Sequence, residues 1–322
     1  MADQGGESTG TVLLALAMNA LIAIVKGIGG FLTGSSALLS EAGHSVSDTM
    51  NQAFLFIALK RSSKPPDEQH PFGYGQERFF WALIAAVGIF AAGAMFSFLE
   101  TYLALTESGS EEAFGFYVSY IVLGIALIAE SASLAKAVRQ TRKEASAAGR
   151  GLVEHIRKSD DPTVKTVASE DTAAVTGVVI AFIGIALHQL TGNGVFEGIA
   201  SFLIGVLLTY VAFALARDNK DLLIGEAADP RLRKQMTDHL ASYAEIDAVA
   251  ALYTMHLGTR RLLVAARLDL ASTLSSDQVE DISTRIDRDM RERWPEVEQV
   301  FLDATDTSGR TRSDGVPGGT HG

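Results

Sequence analysis

The chain has 322 residues, a formal net charge of −11, 20% charged residues and no cysteine. The acidic balance argues against nucleic acid as the main partner, and the lack of thiols excludes disulfides, thiolate metal sites and dithiol redox chemistry. A mean hydropathy of +0.20 is high for a soluble protein and predicts membrane spans joined to a polar remainder.

Residues 1–10, "MADQGGESTG", carry no basic stretch, and the apolar run behind them is too long for a signal segment. A short cytoplasmic tail and a retained first span are therefore expected. Six segments reach the roughly 20 residues that cross a bilayer. They run from about Thr11 to Leu32, Ala37 to Leu59, Phe79 to Leu103, Phe114 to Val138, Val164 to Leu187 and Gly194 to Leu215. The predicted transmembrane domain is thus residues 11–217.

The connections alternate in charge. "TGSS", "TESGSEE" and "HQLTGN" carry no Lys or Arg, whereas Lys60, Arg61, Lys64, Arg78, Arg139, Arg142, Lys143, Arg150, Arg157, Lys158, Lys165, Arg217 and Lys220 fall in the other set. A missed span would break this alternation. The positive-inside rule places both termini in the cytoplasm, and the expected location is a bacterial plasma membrane.

Residues 218–304 read as helix, strand, strand, helix, strand. One helix starts near Pro230 behind Asp229, and a second starts at Ser275 or Ser276. Gly258 and Thr259 separate the first two strands. This order suits a small cytoplasmic α+β, ferredoxin-like domain with its helices on one face of the sheet. The Gly- and Ser-rich tail, 305–322, is expected to be disordered.

The chemistry is concentrated in two spans. His44 and Asp48 lie four residues apart in the second, on one face and about 6 Å apart. An imidazole nitrogen and a carboxylate oxygen so placed suit Zn²⁺. A charge at the bilayer centre costs at least ~3 kcal/mol, so such residues usually face the bundle interior and act. Two ligands on one helix need partners from another, and "VASEDTAAVTG" offers Glu170 and Asp171 in the fifth span. Adjacent helix residues point about 100° apart, so one is expected to ligate and the other to line the access path. Asp171 is the first choice.

Other polar residues have plainer readings. Glu41 reads as interfacial, and Glu100 and Glu130 as snorkelling or paired near span ends. His188 and Glu197 read as solvated. Lys26 calls for an acid on a neighbouring helix.

With these residues in view, the chain resembles the cation diffusion facilitator family. "GGFLTGSSALLSEAGHSVSDTMNQ" is similar to that family's signature across spans one and two, and "HPFGYGQERFFWAL" to its approach to span three. The resemblance implies a homodimeric divalent-metal transporter, commonly for zinc, that exports metal in exchange for protons. It also implies a transporter rather than an enzyme, with no prosthetic group expected. The family's site pairs two residues of span two with two of span five spaced H/D-x-x-x-D, and the first pair maps to His44 and Asp48. Taking Asp171 as the second residue of the other pair puts its partner at Val167, which cannot bind metal. "EDTAAV" resembles a divergent branch that carries a Glu-Asp pair. The fourth ligand is then Glu170, water, Asn51 or none.

The loop position where the family often carries a histidine is Tyr74, with Asp67 and His70 nearby as a weak surface site at most. His239 and His256 are isolated in the sequence, so the soluble domain is expected to dimerise without the usual metal cluster or with a much weaker one, with Asp247 and Asp303 its only matching acids. A histidine in the span-two pair favours Zn²⁺, while the carboxylates would tolerate Mn²⁺, Fe²⁺, Co²⁺ or Cd²⁺. The alternative is a membrane scaffold or metal sensor derived from a transporter. An intramembrane metalloprotease is disfavoured by the lack of an H-E-x-x-H motif.

Overall fold

The computed structural model of the chain describes residues 9–106, 113–147, 149, 151–152 and 162–306. The expected disordered tail from 307 onward and residues 153–161 of the basic loop lie outside the described residues. The backbone divides into two compact units, residues 1–224 and 225–322.

The first unit is helical. It comprises α1 (Thr9–Thr33), α2 (Ser36–Ser62), α3 (Glu77–Gly88), a π-helical segment (Ile89–Ala94) that leads into α4 (Met95–Thr106), α5 (Ala113–Ala147), α6 (Pro162–Thr191) and α7 (Val195–Leu223). Among the described residues five helical stretches are long and apolar enough to cross a membrane, with α3, the π segment and α4 forming one of them. Phe31, Ile128, Tyr210 and Phe213 are exposed on them, as expected of helices whose solvent is hydrocarbon.

The sixth expected span, α2, has the length but not the composition. Its 27 residues extend ~40 Å. It packs against α1, α3, the π segment, α4, α6 and α7, so its polar side chains meet protein rather than lipid. Ser35 caps it by accepting from the Leu38 N–H at 3.3 Å. Gly34, at φ 73°, makes the left-handed turn from α1 that residues with a Cβ rarely adopt. The helices overrun the expected span ends. α5 continues past Val138 and α7 past Leu215, so Arg139, Lys143, Arg217 and Lys220 ride on helical extensions.

The second unit comprises α8 (Pro230–Leu240), β1 (Ile246–Gly258), β2 (Arg261–Leu270), α9 (Ser276–Arg293) and β3 (Val297–Ala304). The strand order is β1-β2-β3, with β1 antiparallel and β3 parallel to β2. This is the ferredoxin-like β-α-β-β-α-β order without its first strand. In β2, Leu262, Val264, Ala266 and Leu268 alternate inward and join Met236 and Leu240 of α8 and Ile282, Ile286 and Met290 of α9 in one core. Both helices therefore cover the same face. Asp229 caps α8, accepting from Arg231 N–H at 2.7 Å. Ser275 and Gln278 form a reciprocal capping box at the start of α9, a feature that satisfies two otherwise orphaned N–H groups.

Candidate metal site

The polar residues of α2 recur every three or four positions: Glu41, His44, Ser45, Asp48 and Asn51. That spacing puts them along one side of the helix, and all five are buried. The His44 Nδ1 lies 3.7 Å from Asp48 Oδ1, too far for a hydrogen bond. Neither ring nitrogen of His44 has a hydrogen-bond partner, and the same holds for Asp48 Oδ1, Asn51 Oδ1 and Glu170 Oε1. Buried polar atoms are normally paired, because an unpaired one costs its full desolvation. Five such atoms lie on two facing helices, α2 and α6.

The fifth span, α6, supplies Glu170. Its Oε2 accepts from Asn51 Nδ2 at 2.6 Å. Asp171, the next residue, is turned toward α5, where Ser133 Oγ donates to its two carboxylate oxygens at 3.3 and 3.2 Å. The two acids point apart, as helix geometry requires. Glu170 is the one brought against α2, and Asp171 is held by Ser133 of α5. Among the described residues no three His, Asp or Glu side chains stand together in a metal-holding arrangement. Asn51 takes up the near oxygen of Glu170 instead.

Several plainer readings need correction. Glu41 is fully buried rather than interfacial. Its Oε2 accepts from Lys26 Nζ at 3.0 Å, which answers which acid Lys26 meets. Lys26 also lies 3.7 Å from Glu130 Oε1, so of its two expected readings Glu130 takes the paired one. His188 and Glu197 are not solvated. Both are buried, with His188 Nδ1 2.6 Å from Glu197 Oε1, and Ser35 Oγ donates to Glu197 Oε2. This cluster ties the α6–α7 turn to the cap of α2. The sequence carries no signal for it, since the three residues share no spacing pattern.

The loop before α3 is organised around the Asp67 carboxylate. Asp67 accepts from the Tyr74 hydroxyl at 2.6 Å and from the N–H groups of His70 and Gln69 at 2.7 and 3.0 Å. These donors, the Tyr74 hydroxyl first, hold its carboxyl below the usual carboxylate range. Tyr74→Phe is expected to raise the Asp67 pKa toward the ordinary value. Loop order that depends on the charged carboxylate is complete above the ordinary pKa and is lost as pH falls through the folded value. The variant should therefore lose it at a higher pH, as read by NMR titration of the full chain in detergent.

In the second unit, Asp303 pairs with Arg267 at 2.8 Å. His239 packs edge-on against Tyr243 and Trp294, each at 5.4 Å, and burial lowers its pKa. Tyr253 and Phe301, both exposed, are paired in register with Ala265, so they stand in one row on the sheet face away from the helices.

Residues 12–224 match the family described as the cation efflux transmembrane domain. The chain is 30% identical over 294 residues to the mouse (Mus musculus) "Proton-coupled zinc antiporter SLC30A9, mitochondrial", covering 90% of this chain and 52% of that protein. It is 31% identical over 292 residues to "Metal tolerance protein C4" of Arabidopsis thaliana, covering 90% of this chain and 62% of that protein. It is 22% identical over 297 residues to "Manganese efflux system protein MneP" of Bacillus subtilis (strain 168), covering 90% and 93%. The chain thus spans about half the length of the first of these relatives.

Proposed function

We propose that this chain, which belongs to the cation efflux family of multi-pass membrane transporters, exports Zn²⁺ from the cytoplasm in exchange for protons. The observation that carries the reading is the row of buried, unpartnered polar atoms on His44, Asp48, Asn51 and Glu170. Two carboxylates, an imidazole and an amide oxygen form a donor set for a divalent cation. His44 and Asp48 are fixed on α2. Glu170 completes the set when it gives up the Asn51 amide, leaving Asn51 Oδ1 to face the cargo. Asp171 lines the approach from the side of α5.

Direction follows from the loops. Basic residues flank the ends of α2, α5 and α7, and both termini belong on that cytoplasmic side. The site then opens to one side of the membrane at a time as the bundle rocks. A ligand set must be deprotonated to hold metal, so protons compete with cargo. An imidazole changes charge near neutrality, and protonation of His44 promotes release while carrying the exchanged proton back. The exposed Tyr253–Phe301 face of the sheet is where a second copy would pack to form a homodimer.

The test is Zn²⁺ uptake into inverted vesicles or proteoliposomes holding the full chain. An imposed proton gradient should accelerate uptake, and equilibrium affinity should fall about tenfold per pH unit for each proton displaced. Flux that ignores the proton gradient would refute the exchange. A second reading, Mn²⁺ transport, draws on the manganese efflux relative and on the carboxylates of the set. The imidazole of His44 favours zinc, and competition between the two metals in the same vesicles decides.

A further inference from the structure

The polar side of α2 does not stop at His44. It continues toward the α1–α2 turn at Glu41, with Ser45 beside it, and three other helices converge there. Lys26 of α1 donates from Nζ to Glu41 Oε2 at 3.0 Å and to Ser45 Oγ at 2.9 Å. Glu130 of α5 lies 3.7 Å from the same ammonium. Lys26 is 1% exposed and Glu41 0%. From α6, Gly177 faces Glu41, and a Cβ on that glycine would overlap Glu41 Oε1. That oxygen has no hydrogen-bond partner.

The two ends of the α2–α6 seam are thus marked by two contacts, Asn51 with Glu170 and Glu41 with Gly177. They lie ~15 Å apart along α2 by helix rise, and His44 and Asp48 fall between them. The Glu41 end is the one near the uncharged "TGSS" turn, away from the basic loops, so it is the release side of the proposed path.

The charges at this end do not match one to one. One ammonium faces two carboxylates, and one buried oxygen of Glu41 is left without a donor. A clamp that only tied α1 to α2 would need a single carboxylate. It would also have no use for a side-chain-free position on α6 opposite the spare oxygen. We infer that Glu41 is a second cation station on the release side of His44 and Asp48. In this state Lys26 is the tethered cation that fills it. A divalent cargo arriving from His44 takes Glu41, and the ammonium moves to Glu130, 3.7 Å away. Refilling by Lys26 then expels the cargo and bars its return. The inference rests on the transport reading, but its binding test does not depend on flux.

The experiment uses the purified full chain and Zn²⁺ itself. Calorimetry in detergent gives the binding stoichiometry, and proteoliposomes give the flux. Lys26→Gln frees Glu41 and Glu130 and should add a second Zn²⁺ per protomer that the wild type lacks, with flux reduced at least about tenfold because cargo is retained. Lys26→Gln/Glu41→Gln should bind as the wild type does yet stay slow. Lys26→Arg keeps the charge and should retain most of the flux. A Lys26→Gln protein that gains no zinc overturns the station. So does a double variant of wild-type stability and wild-type flux, and this variant decides alone if Lys26→Gln does not fold. Absent flux in the wild type would refute the transport reading, while the stoichiometry of Lys26→Gln would still test the station.

Discussion

His44→Ala and Asp48→Ala should each lower Zn²⁺ flux in proteoliposomes by at least about 100-fold, since even outer-shell partners of a metal cost 10–100-fold. The full chain should keep its helical content and thermal transition. The second half of this expectation is the discriminating one. His44 is buried with both ring nitrogens unpartnered, so its truncation removes a desolvated polar group and leaves no broken hydrogen bond behind. A structural histidine would behave in the opposite way, because its former partner would be stranded. Loss of flux with stability retained therefore marks a cargo ligand. Loss of both, or normal flux in either variant, would remove His44 and Asp48 from the path.

Glu170→Gln should cost more than Asp171→Asn, and the two should fail differently. Glu170 reaches Asn51 on α2 and keeps its second oxygen unpartnered. The glutamine variant retains the shape but loses the anionic donor, so equilibrium zinc affinity should drop at least about tenfold. Asp171 is held by Ser133 of α5 and is only partly buried. Asp171→Asn should leave equilibrium affinity within about threefold and act mainly on the rate of loading, as a charge lining an access route does. Calorimetry separates the two effects from flux. If Asp171→Asn weakens binding more than Glu170→Gln does, Asp171 is the ligand and Glu170 serves the approach.

Much of this was legible in the sequence because it depends on local periodicity. Long apolar runs must be helices in hydrocarbon, since no other open structure satisfies the backbone there. The i, i+4 spacing of His44 and Asp48 fixes them on one face whatever surrounds them. Alternation in "RLLVAARL" and the cap at Ser275 fix β2 and α9 in the same way, and both stand in the structure. The composition of α2 was the hard case. It is too polar to pass as a span on hydropathy alone, and it is stable because other helices, not lipid, surround it.

Contacts between distant helices were not legible. Which of two adjacent acids faces α2 depends on the rotation of α6 about its axis, and neighbouring side chains set that rotation, not spacing. Lys26 announced a need for a buried acid, but several acids in other helices could have met it. Only packing put Glu41 and Glu130 beside it together. His188 and Glu197 read as loop residues because they flank a turn, yet the turn folds inward against Ser35 and buries both. The sequence by itself determined which residues share a helix face. The tertiary structure decided which faces meet, because pairing energy between buried charges depends on separations of a few ångströms that no spacing along one helix encodes.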